Sequence, residues 1–378
     1  MKKPALLVVF VDAFGPDQAH LLRCAGLGLS ESRALRGVLG YSSGALPTIL
    51  TGASPSAHGR MCLFARAAST SPLAPLRWLG LLPRLVHERA RVRRWAGKLF
   101  AAAQGYDGYF ALHRVPPADF ATLDVPERED LFAAREIGGV PTLFARAKDA
   151  GLRVTLSDWR APEATRVQAI EAAPDCDLAF LYLSGLDGIL HHDGEVGDTA
   201  HRWARQAVEW ISRARRAMTA RGREVQLLVV GDHGMAKVQD VVDPRPVVRA
   251  LKDASPSRFL FVDSTMLRVD AAGDLEGTKK LLAALPGEVL DAGALAQRDA
   301  PKGDTYGELI ALLPEGSIFA PSYVGGRVRG MHGYDRHAHS ARAALLSDGA
   351  LPASLDRLEG FAPLVASRLG FAGAQVAS

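Results

Sequence analysis

The amino-acid sequence predicts an α/β protein with a mostly parallel central sheet and helices on both faces. Short, almost purely apolar runs, bounded by turn or polar residues, alternate with helical patterns along much of the chain. Runs of this length are typical of strands buried on both faces, and their alternation with helices is typical of a parallel sheet. The predicted strands are Ala5–Val11, Leu178–Leu183, Gln226–Val230, Phe259–Val262 and Leu309–Leu313.

The helical patterns support the same fold class. In the clearest of them, Thr199–Ala220, apolar residues such as Trp203, Ala207 and Ile211 recur at intervals near 3.6 residues. The ranges 140–150 and 277–284 are predicted to be further helices. Ligands of such sheets bind beyond the carboxyl ends of the strands, so functional residues are expected there.

The range 60–137 breaks this alternation. It contains many prolines, little strand signal, and a basic, apolar middle between Arg77 and Lys98 whose only acid is Glu88. We interpret it as an inserted helical cap over the active-site face of a single domain that spans residues 1–378. Its apolar residues, among them Phe64, Trp78, Leu79 and Leu81, are predicted to line the substrate cavity.

Trp78 and Trp95 are interleaved with arginines in this middle part, which permits a second interpretation. A basic surface with tryptophans can bind to a membrane surface. A solvated helix whose apolar side packs inward is the commoner structure, and we favour it.

Composition excludes several classes of protein. The 378 residues carry a formal net charge of +4, which is smaller than we expect of a dedicated nucleic-acid binder. Cys24, Cys62 and Cys176 are odd in number and widely spaced, which indicates a reducing compartment without a disulfide framework. The first apolar run ends at Asp12 and is better explained as a strand than as a signal peptide, and no run is long enough to span a membrane. We expect a cytoplasmic protein, and the sequence leaves its oligomeric state open.

Acidic and imidazole side chains follow three of the predicted strands and occur again in a later loop. They are Asp12, the pair Asp187 and His191, the pair Asp232 and His233, and His332 in "RGMHGYD". The four-residue spacing of the first pair would place both side chains on one face of a helix. Carboxylates and neutral imidazoles are the usual ligands of zinc and similar divalent ions. The pattern therefore predicts a metal site at the carboxyl edge of the sheet.

The stretch "GYSSGALPTILTGASPSAHG" offers a nucleophile. Ser42 stands at the apparent start of a helix, nine residues before Thr51. A cation near its hydroxyl would make it a useful nucleophile, and a helix N-terminus favours an anionic ester group. The alternative is that Ser42 only caps the helix. Ser43 and Thr48 are rival hydroxyls.

These motifs, in this order, resemble those of the alkaline phosphatase superfamily, and most closely the nucleotide pyrophosphatase/phosphodiesterase branch. Members of that branch carry the nucleophile nine positions before a Thr-Gly pair, which matches Ser42 and Thr51-Gly52 here. "TGASPSAHG", "LDGILHH", "GDHGM" and "HGYD" resemble other motifs of the branch. The similar segments lie within residues 5–59 and 178–335.

The resemblance implies a hydrolase of phosphate esters with two divalent metal ions, usually zinc, with manganese as an alternative. One ion would be held by Asp187, His191 and His332. The other would be held by Asp12, Asp232 and His233, with Ser42 bridging toward it. Ser42 would attack phosphorus to form a phosphoseryl intermediate, which water would then hydrolyse. The partner is expected to be a small organic phosphate ester.

The sequence also departs from that branch. The branch usually has Thr as its nucleophile, followed by Phe-Pro-Asn, whereas Ser43, Gly44 and Ala45 follow Ser42 here. Monoester-specific relatives pair a serine with an arginine, and Arg60 or an arginine between Arg77 and Arg94 could serve. A phosphomonoesterase, a phosphomutase and a phospho-group transferase therefore remain alternatives to a phosphodiesterase.

Four further histidines could mislead. His192 could replace His191 as a ligand if the register slipped by one residue. His58 is interpreted as structural, and His337 and His339 as part of a solvated loop.

Overall fold

The computed structural model describes residues 3–23 and 26–371, and Cys24 lies outside them. The main sheet has six strands, of which five run in the same direction. Their order across the sheet is Glu31–Leu35, Ala343–Ser347, Arg223–Val230, Lys3–Val11, Leu178–Leu183 and Val154–Leu156. The predicted mixed α/β fold with a mostly parallel main sheet is confirmed, and Ala343–Ser347 is the one reversed strand.

Alternate residues of the central strand explain why helices cover both faces. Leu7 and Val9 pack in one buried layer with residues of the helix Asp198–Ala220. Leu6 and Val8 pack in the opposite layer, which includes residues of the helices at 42–51 and 361–369. Because successive side chains of a strand point to opposite faces, a run without polar residues requires apolar cover on both sides.

Two predicted strands lie outside the main sheet, so their assignment to a parallel sheet was wrong. Leu260–Val262 and Leu309–Leu312 belong to a separate four-stranded sheet in which every pair is antiparallel. Its order is Leu260–Val262, Met266–Val269, Leu309–Leu312 and Glu288–Leu290. An apolar run reports that a strand is buried, but it does not report the direction of the neighbouring strand.

The predicted helices at 140–150, 199–220 and 277–284 are found with shifted ends. The α-helices are His20–Arg23, Ser42–Thr51, Pro55–His58, Arg84–His87, Ala90–Gln104, Leu143–Asp149, Glu163–Ala172, Gly185–Asp193, Asp198–Ala220, Arg245–Ala254, Leu275–Leu282, Ala292–Gln297 and Phe361–Leu369. Short 3₁₀ turns occupy Pro16–Gln18, Ala74–Leu81, Pro117–Thr122, His339–Ala341 and Leu358–Gly360. No helix among the described residues has the length and apolar character needed to cross a bilayer.

Four pairs of short strands complete the fold. They are Ala65–Arg66 with Leu123–Asp124, Glu136–Ile137 with Val140–Pro141, Ala236–Lys237 with Gly330–Met331, and Asp240–Val242 with Ser317–Phe319. The third pair brings the chain before His332 alongside the chain after His233, which matters for the site.

The segment 60–137 has an apolar core of its own. Leu79, Phe100 and Phe120 pack together, and Phe259 and Phe261 of the four-stranded sheet complete the cluster. The segment therefore rests on the smaller sheet through buried aromatic rings.

Candidate active site

The carboxyl ends of three adjacent parallel strands bring the predicted ligands together. Lys3–Val11 pairs with both Leu178–Leu183 and Arg223–Val230, and all three strands end at one edge of the sheet. Asp12 follows the first strand directly, and Asp232 follows the third after a single glycine. A Cβ atom on that residue, Gly231, would overlap the carbonyl group of Phe14, so this tight passage requires glycine.

Asp12, Asp232 and His233 form the first of two ligand groups. Each offers one atom that lies within 4.8 Å of the others. One oxygen of each carboxylate is held by the protein: Asp232 Oδ1 accepts the backbone N–H of Ala13 at 3.2 Å, and Asp12 Oδ2 accepts the Tyr182 hydroxyl at 2.7 Å. The second oxygens have no hydrogen-bond partner among the described residues. They lie 3.8 Å (Asp12) and 3.2 Å (Asp232) from Nε2 of His233.

Asp187, His191 and His332 form the second group, again within 4.8 Å of one another. Asp187 and His191 are four residues apart on the helix Gly185–Asp193, as predicted, and His191 Nε2 lies 3.3 Å from Asp187 Oδ1. His332 Nε2 lies 3.8 Å from the same oxygen, which has no hydrogen-bond partner in the described chain. The two groups are adjacent, because the rings of His233 and His332 stack with centroids 3.6 Å apart.

The hydrogen bonds of the histidines show that the donor atoms suit divalent cations. Nδ1 of His233 lies 2.9 Å from the carbonyl oxygen of Gly234, and Nδ1 of His191 lies 2.8 Å from that of Gly330. A carbonyl oxygen only accepts, so each Nδ1 carries a proton, and Nε2 is the ring nitrogen left to face the carboxylates. The close approach of Nε2 to free carboxylate oxygens requires a compensating positive charge, either a proton on Nε2 or a cation between the atoms. The three unpartnered oxygens and these nitrogens therefore fit two metal ions.

The electrostatics of the first group lead to the same conclusion. Burial raises the pKa of Asp12 well above its usual range, and the negative charges of Asp232 and Asp187 raise it further. Burial lowers the pKa of His233, but the neighbouring Asp232 carboxylate outweighs that effect and raises the pKa to about 9. A divalent cation would replace the proton as the compensating charge.

Ser42 faces the first group. It is the first residue of the helix Ser42–Thr51, and its Oγ lies 3.0 Å from Nε2 of His233. Tyr41 occupies the N-cap position, so Ser42 does not cap this helix. Among the rival hydroxyls, Thr48 is buried and donates to the backbone carbonyl of Gly44, and Ser43 forms no hydrogen bond to either group.

Tyr41 links the nucleophile helix to the loop of His332. Its hydroxyl accepts the backbone N–H of Thr265 at 3.0 Å and lies 2.8 Å from the Thr265 hydroxyl, which donates to the carbonyl of Gly333. The Tyr41 ring packs edge-on against His332, with centroids 5.7 Å apart. Gly333 has a φ of 88°, and a Cβ there would overlap the Tyr41 ring. These contacts fix Ser42 and His332 relative to each other.

Both groups open into a cavity of about 380 Å³. Ser42, Asp187, His191 and His332 line it together with aromatic residues such as Tyr109, Trp159 and Tyr182. No lysine or arginine is among the described residues that line it. Among the arginines considered above as phosphate ligands, Arg60, Arg77, Arg89, Arg91, Arg93 and Arg94 do not line this cavity.

The apolar lining predicted for the cavity was also wrong. Phe64 and Leu79 are buried in the core of the segment 60–137, while Trp78 and Leu81 are exposed on its outer surface. Other residues of the segment line the cavity instead, among them Leu63, Tyr109, His113, Glu127 and Leu131.

Glu127 carries the one unpaired charge of this lining among the described residues outside the ligand groups. The other acids are paired, Asp130 with Arg160 at 2.8 Å and Asp263 with Arg268 at 2.9 Å. Glu127 is only 6% exposed, and burial raises its pKa to about 7 while Arg60 partly offsets the shift.

The remaining histidines lie outside the two groups. His192 is exposed and pairs with Asp193. His58 is buried between the Thr48 hydroxyl at 2.9 Å and the backbone N–H of Arg60 at 3.1 Å, which fits a structural role. His337 is exposed, and His339 pairs with Asp17 on the surface.

Tyr182 and Glu127 are site residues that sequence reasoning missed. Tyr182 lies within a predicted strand, and its hydroxyl is the only polar atom in that strand's side chains, which is the one available signal. Glu127 lies in the Pro-rich segment, where nothing in the sequence indicates proximity to the strand ends.

Comparison with known proteins identifies a family for the chain. The sequence model of the type I phosphodiesterase/nucleotide pyrophosphatase family matches residues 95–335, a range that includes five of the six candidate ligands but neither Asp12 nor Ser42. No curated protein sequence matches the chain.

Solved structures share the fold at low sequence identity. Murine ectonucleotide pyrophosphatase/phosphodiesterase 5 has a TM-score of 0.68 and 15% identity, covering 100% of this chain and 97% of that one. Its inactive variant in complex with AMP gives a TM-score of 0.67 and 15% identity, covering 99% and 97%. The human protein gives 0.68 and 13%, covering 99% and 96%.

The family match and the solved structures with the same fold identify an enzyme of the phosphodiesterase/pyrophosphatase type. The chain belongs to the type I phosphodiesterase/nucleotide pyrophosphatase family.

Proposed function

We propose that the protein is a metal-dependent phosphodiesterase that hydrolyses a small organic phosphodiester through a phosphoseryl intermediate at Ser42. The observation that carries this proposal is the position of the Ser42 hydroxyl, 3.0 Å from Nε2 of His233 in the first ligand group. That hydroxyl also stands at the N-terminus of a ten-residue helix, whose backbone N–H groups favour an anionic phosphoryl group.

The six ligands would hold two divalent cations, zinc by the balance of imidazole and carboxylate donors. Such cations supply the positive charge that lowers the pKa of a serine hydroxyl and stabilises a leaving oxygen. The backbone carbonyls of Gly234 and Gly330 orient His233 and His191, and the Tyr182 hydroxyl orients Asp12.

The reaction would proceed in two displacements at phosphorus. The Ser42 oxygen forms a bond to phosphorus as the bond to one ester oxygen breaks, and the proton lost by Ser42 leaves with the departing alcohol. Water then forms a bond to phosphorus, the bond to the Ser42 oxygen breaks, and the serine regains a proton.

The charge of the cavity favours a diester over a monoester. A phosphomonoester carries a second negative charge, which related enzymes balance with an arginine, and no cationic side chain of the described chain lines this cavity. Tyr109 and Trp159 provide flat apolar surfaces for an organic substituent. Since the related murine protein forms a complex with AMP, nucleotide esters are the first substrates to test.

We further propose that residues 60–137 act as a cap over this cavity, in a single domain. The proposal is supported by Leu63, Tyr109, His113, Glu127 and Leu131, which all line it.

The test compares nitrophenyl esters on protein reconstituted with zinc. We expect kcat/KM for the nitrophenyl diester of thymidine 5′-phosphate to exceed that for nitrophenyl phosphate by at least about 100-fold, equivalent to ~2.7 kcal/mol. Ser42→Ala should lower turnover by at least about 10³-fold, because the attacking oxygen is lost. Metal content, measured by mass spectrometry, should stay close to that of the wild type.

Ser43→Ala is the matched control, since Ser43 lines the same cavity but its hydroxyl forms no hydrogen bond to a described residue of either ligand group. Turnover of Ser42→Ala within a few-fold of wild type would exclude the phosphoseryl mechanism. A preference for the monoester would exclude a phosphodiesterase.

A further inference from the structure

The outer surface of the segment 60–137 concentrates apolar residues that the core does not use. Leu81, Leu85 and Trp95 are 88%, 81% and 60% exposed, and Trp78 and Leu99 are exposed as well. The 3₁₀ turn Ala74–Leu81 and the helix Ala90–Gln104, which carry four of these residues, both contact the short helix Arg84–His87, which carries Leu85. Outside this stretch, only Tyr109, Val241 and Leu275 of the described chain are large hydrophobic residues with comparable exposure. A concentration of this kind indicates an interaction surface rather than chance exposure.

Exposed cations are interleaved with these side chains. They are Arg77, Arg89, Arg91, Arg94 and Lys98. None of them forms an ion pair with a described residue, and the single acid of the stretch is Glu88. We call these cations and the five apolar side chains the basic apolar face.

The elements that carry the basic apolar face are anchored from below. Leu76, Leu79, Ala96 and Phe100 point into the buried cluster of the segment. Arg93, which is buried, donates to the backbone carbonyls at 87, 113 and 115 and so ties the helix Ala90–Gln104 to the neighbouring loop. The exposed residues therefore project from a fixed surface.

We propose that the basic apolar face docks the enzyme on a lipid bilayer that contains anionic lipids. Indole and leucine side chains insert at the boundary between headgroups and acyl chains, while arginine and lysine bind the anionic headgroups around them. The same combination opposes pairing with a second copy of the chain, because five unpaired cations would then face five others.

The test is cosedimentation of the full chain with lipid vesicles. We expect binding to phosphatidylcholine vesicles that contain about one third phosphatidylserine, weak binding to pure phosphatidylcholine, and loss of binding as salt is raised. The double variant Arg91→Gln/Arg94→Gln should bind about 30-fold more weakly, since each cation near an anionic surface contributes about 5-fold. Trp95→Ser/Leu99→Ser should lose binding to a similar extent.

Arg205→Gln/Lys148→Gln is the matched control, because it removes two exposed cations that lie outside the face. All four side chains in the face variants are exposed, so their melting temperatures should equal that of the wild type. Failure of the wild type to bind anionic vesicles would overturn the proposal, as would equal binding by the face variants. Concentration-dependent self-association that Trp95→Ser/Leu99→Ser abolishes would overturn it in favour of a protein interface.

Discussion

The two ligand groups contain the same types of side chain but differ in depth and support. In the first group Asp12, Asp232 and His233 are 14%, 0% and 6% exposed. In the second group Asp187, His191 and His332 are 24%, 25% and 8% exposed. The residues of the first group follow the ends of two central strands. In the second group, Asp187 and His191 lie on a helix and His332 lies in a loop.

This difference in depth and support predicts that the two ligand groups bind metal ions with unequal affinity. Asp232 is held by backbone N–H groups of Ala13 and His233, and Asp12 by Tyr182, so the first group is formed before an ion arrives. Preformed and buried ligands bind more tightly, because less conformational entropy is lost and less water competes. We expect the ion of the first group to be retained and that of the second group to exchange.

The largest effect is expected when one carboxylate is removed from either group by substitution. Asp232→Ala should lose the ion next to Ser42 and lower turnover by at least about 10³-fold, since the nucleophile loses its activating charge. Asp187→Ala should lose the more exposed ion and retain the other. Metal analysis after dialysis gives the stoichiometry, and stepwise chelation of the wild type should empty one site before the second. Simultaneous loss of both ions from Asp187→Ala would contradict the difference in affinity.

A smaller effect is expected when the hydrogen bond that Tyr182 donates to Asp12 is removed. Tyr182→Phe removes the hydrogen bond to Asp12 Oδ2 and keeps the ring, so affinity for the more tightly bound ion should fall about 10–100-fold. Competition with a chromophoric chelator measures it. Tyr306→Phe serves as the control, because its hydroxyl bonds to the backbone of Met61 and not to a candidate metal ligand. An equal loss of affinity in both variants would mean that the effect reflects general stability.

The smallest expected effect is a change in KM with pH, caused by the ionisation of Glu127 in the cavity lining. Glu127 lines the same cavity as Asp187, His191 and His332 of the second group. Since the pKa of Glu127 is about 7, the carboxyl is neutral below pH 7 and ionises above it, where it repels an anionic diester. We expect KM to rise a few-fold between pH 6 and pH 8.

The control for that pH profile is Glu127→Gln, which should flatten the rise in KM. Glu129→Gln makes the same chemical change two residues away on an exposed side chain and should leave the rise in place. A rise that persists unchanged in Glu127→Gln would assign it to another group.

The sequence predicted the central strands of the main sheet best, because strands buried on both faces are uninterrupted runs of apolar residues. Leu178–Leu183 has the predicted bounds, and the first and third strands differ from them by a few residues at their starts. Glu31–Leu35, Val154–Leu156 and Ala343–Ser347 were missed. The first two are partly exposed edge strands, and the third is a short buried strand that runs against its neighbours. Pairing between strands about 300 residues apart leaves no local signal.

In the basic middle of the segment 60–137, the sequence pattern predicted the buried side of the helices correctly but not which apolar residues are exposed. An inward-packed apolar side was expected, and Leu79 and Phe100 provide it. Trp78 and Trp95, expected to join that side or to lie over the cavity, are exposed instead. Short helices and a 3₁₀ turn set which side each residue faces, and their ends cannot be read from spacing alone.

By itself, the sequence determined which side chains could act as ligands and that they follow strands, because strand ends are marked by an abrupt change from apolar to polar residues. The family resemblance implied how these ligands divide into two groups, but the contacts that bring each group together depend on tertiary structure. The parallel register divides the six ligands into two groups, the strand before His332 pairs with the one after His233, and Tyr182 reaches Asp12 from the neighbouring strand. Those distances depend on the pairing of remote segments, which the packing of the whole chain selects.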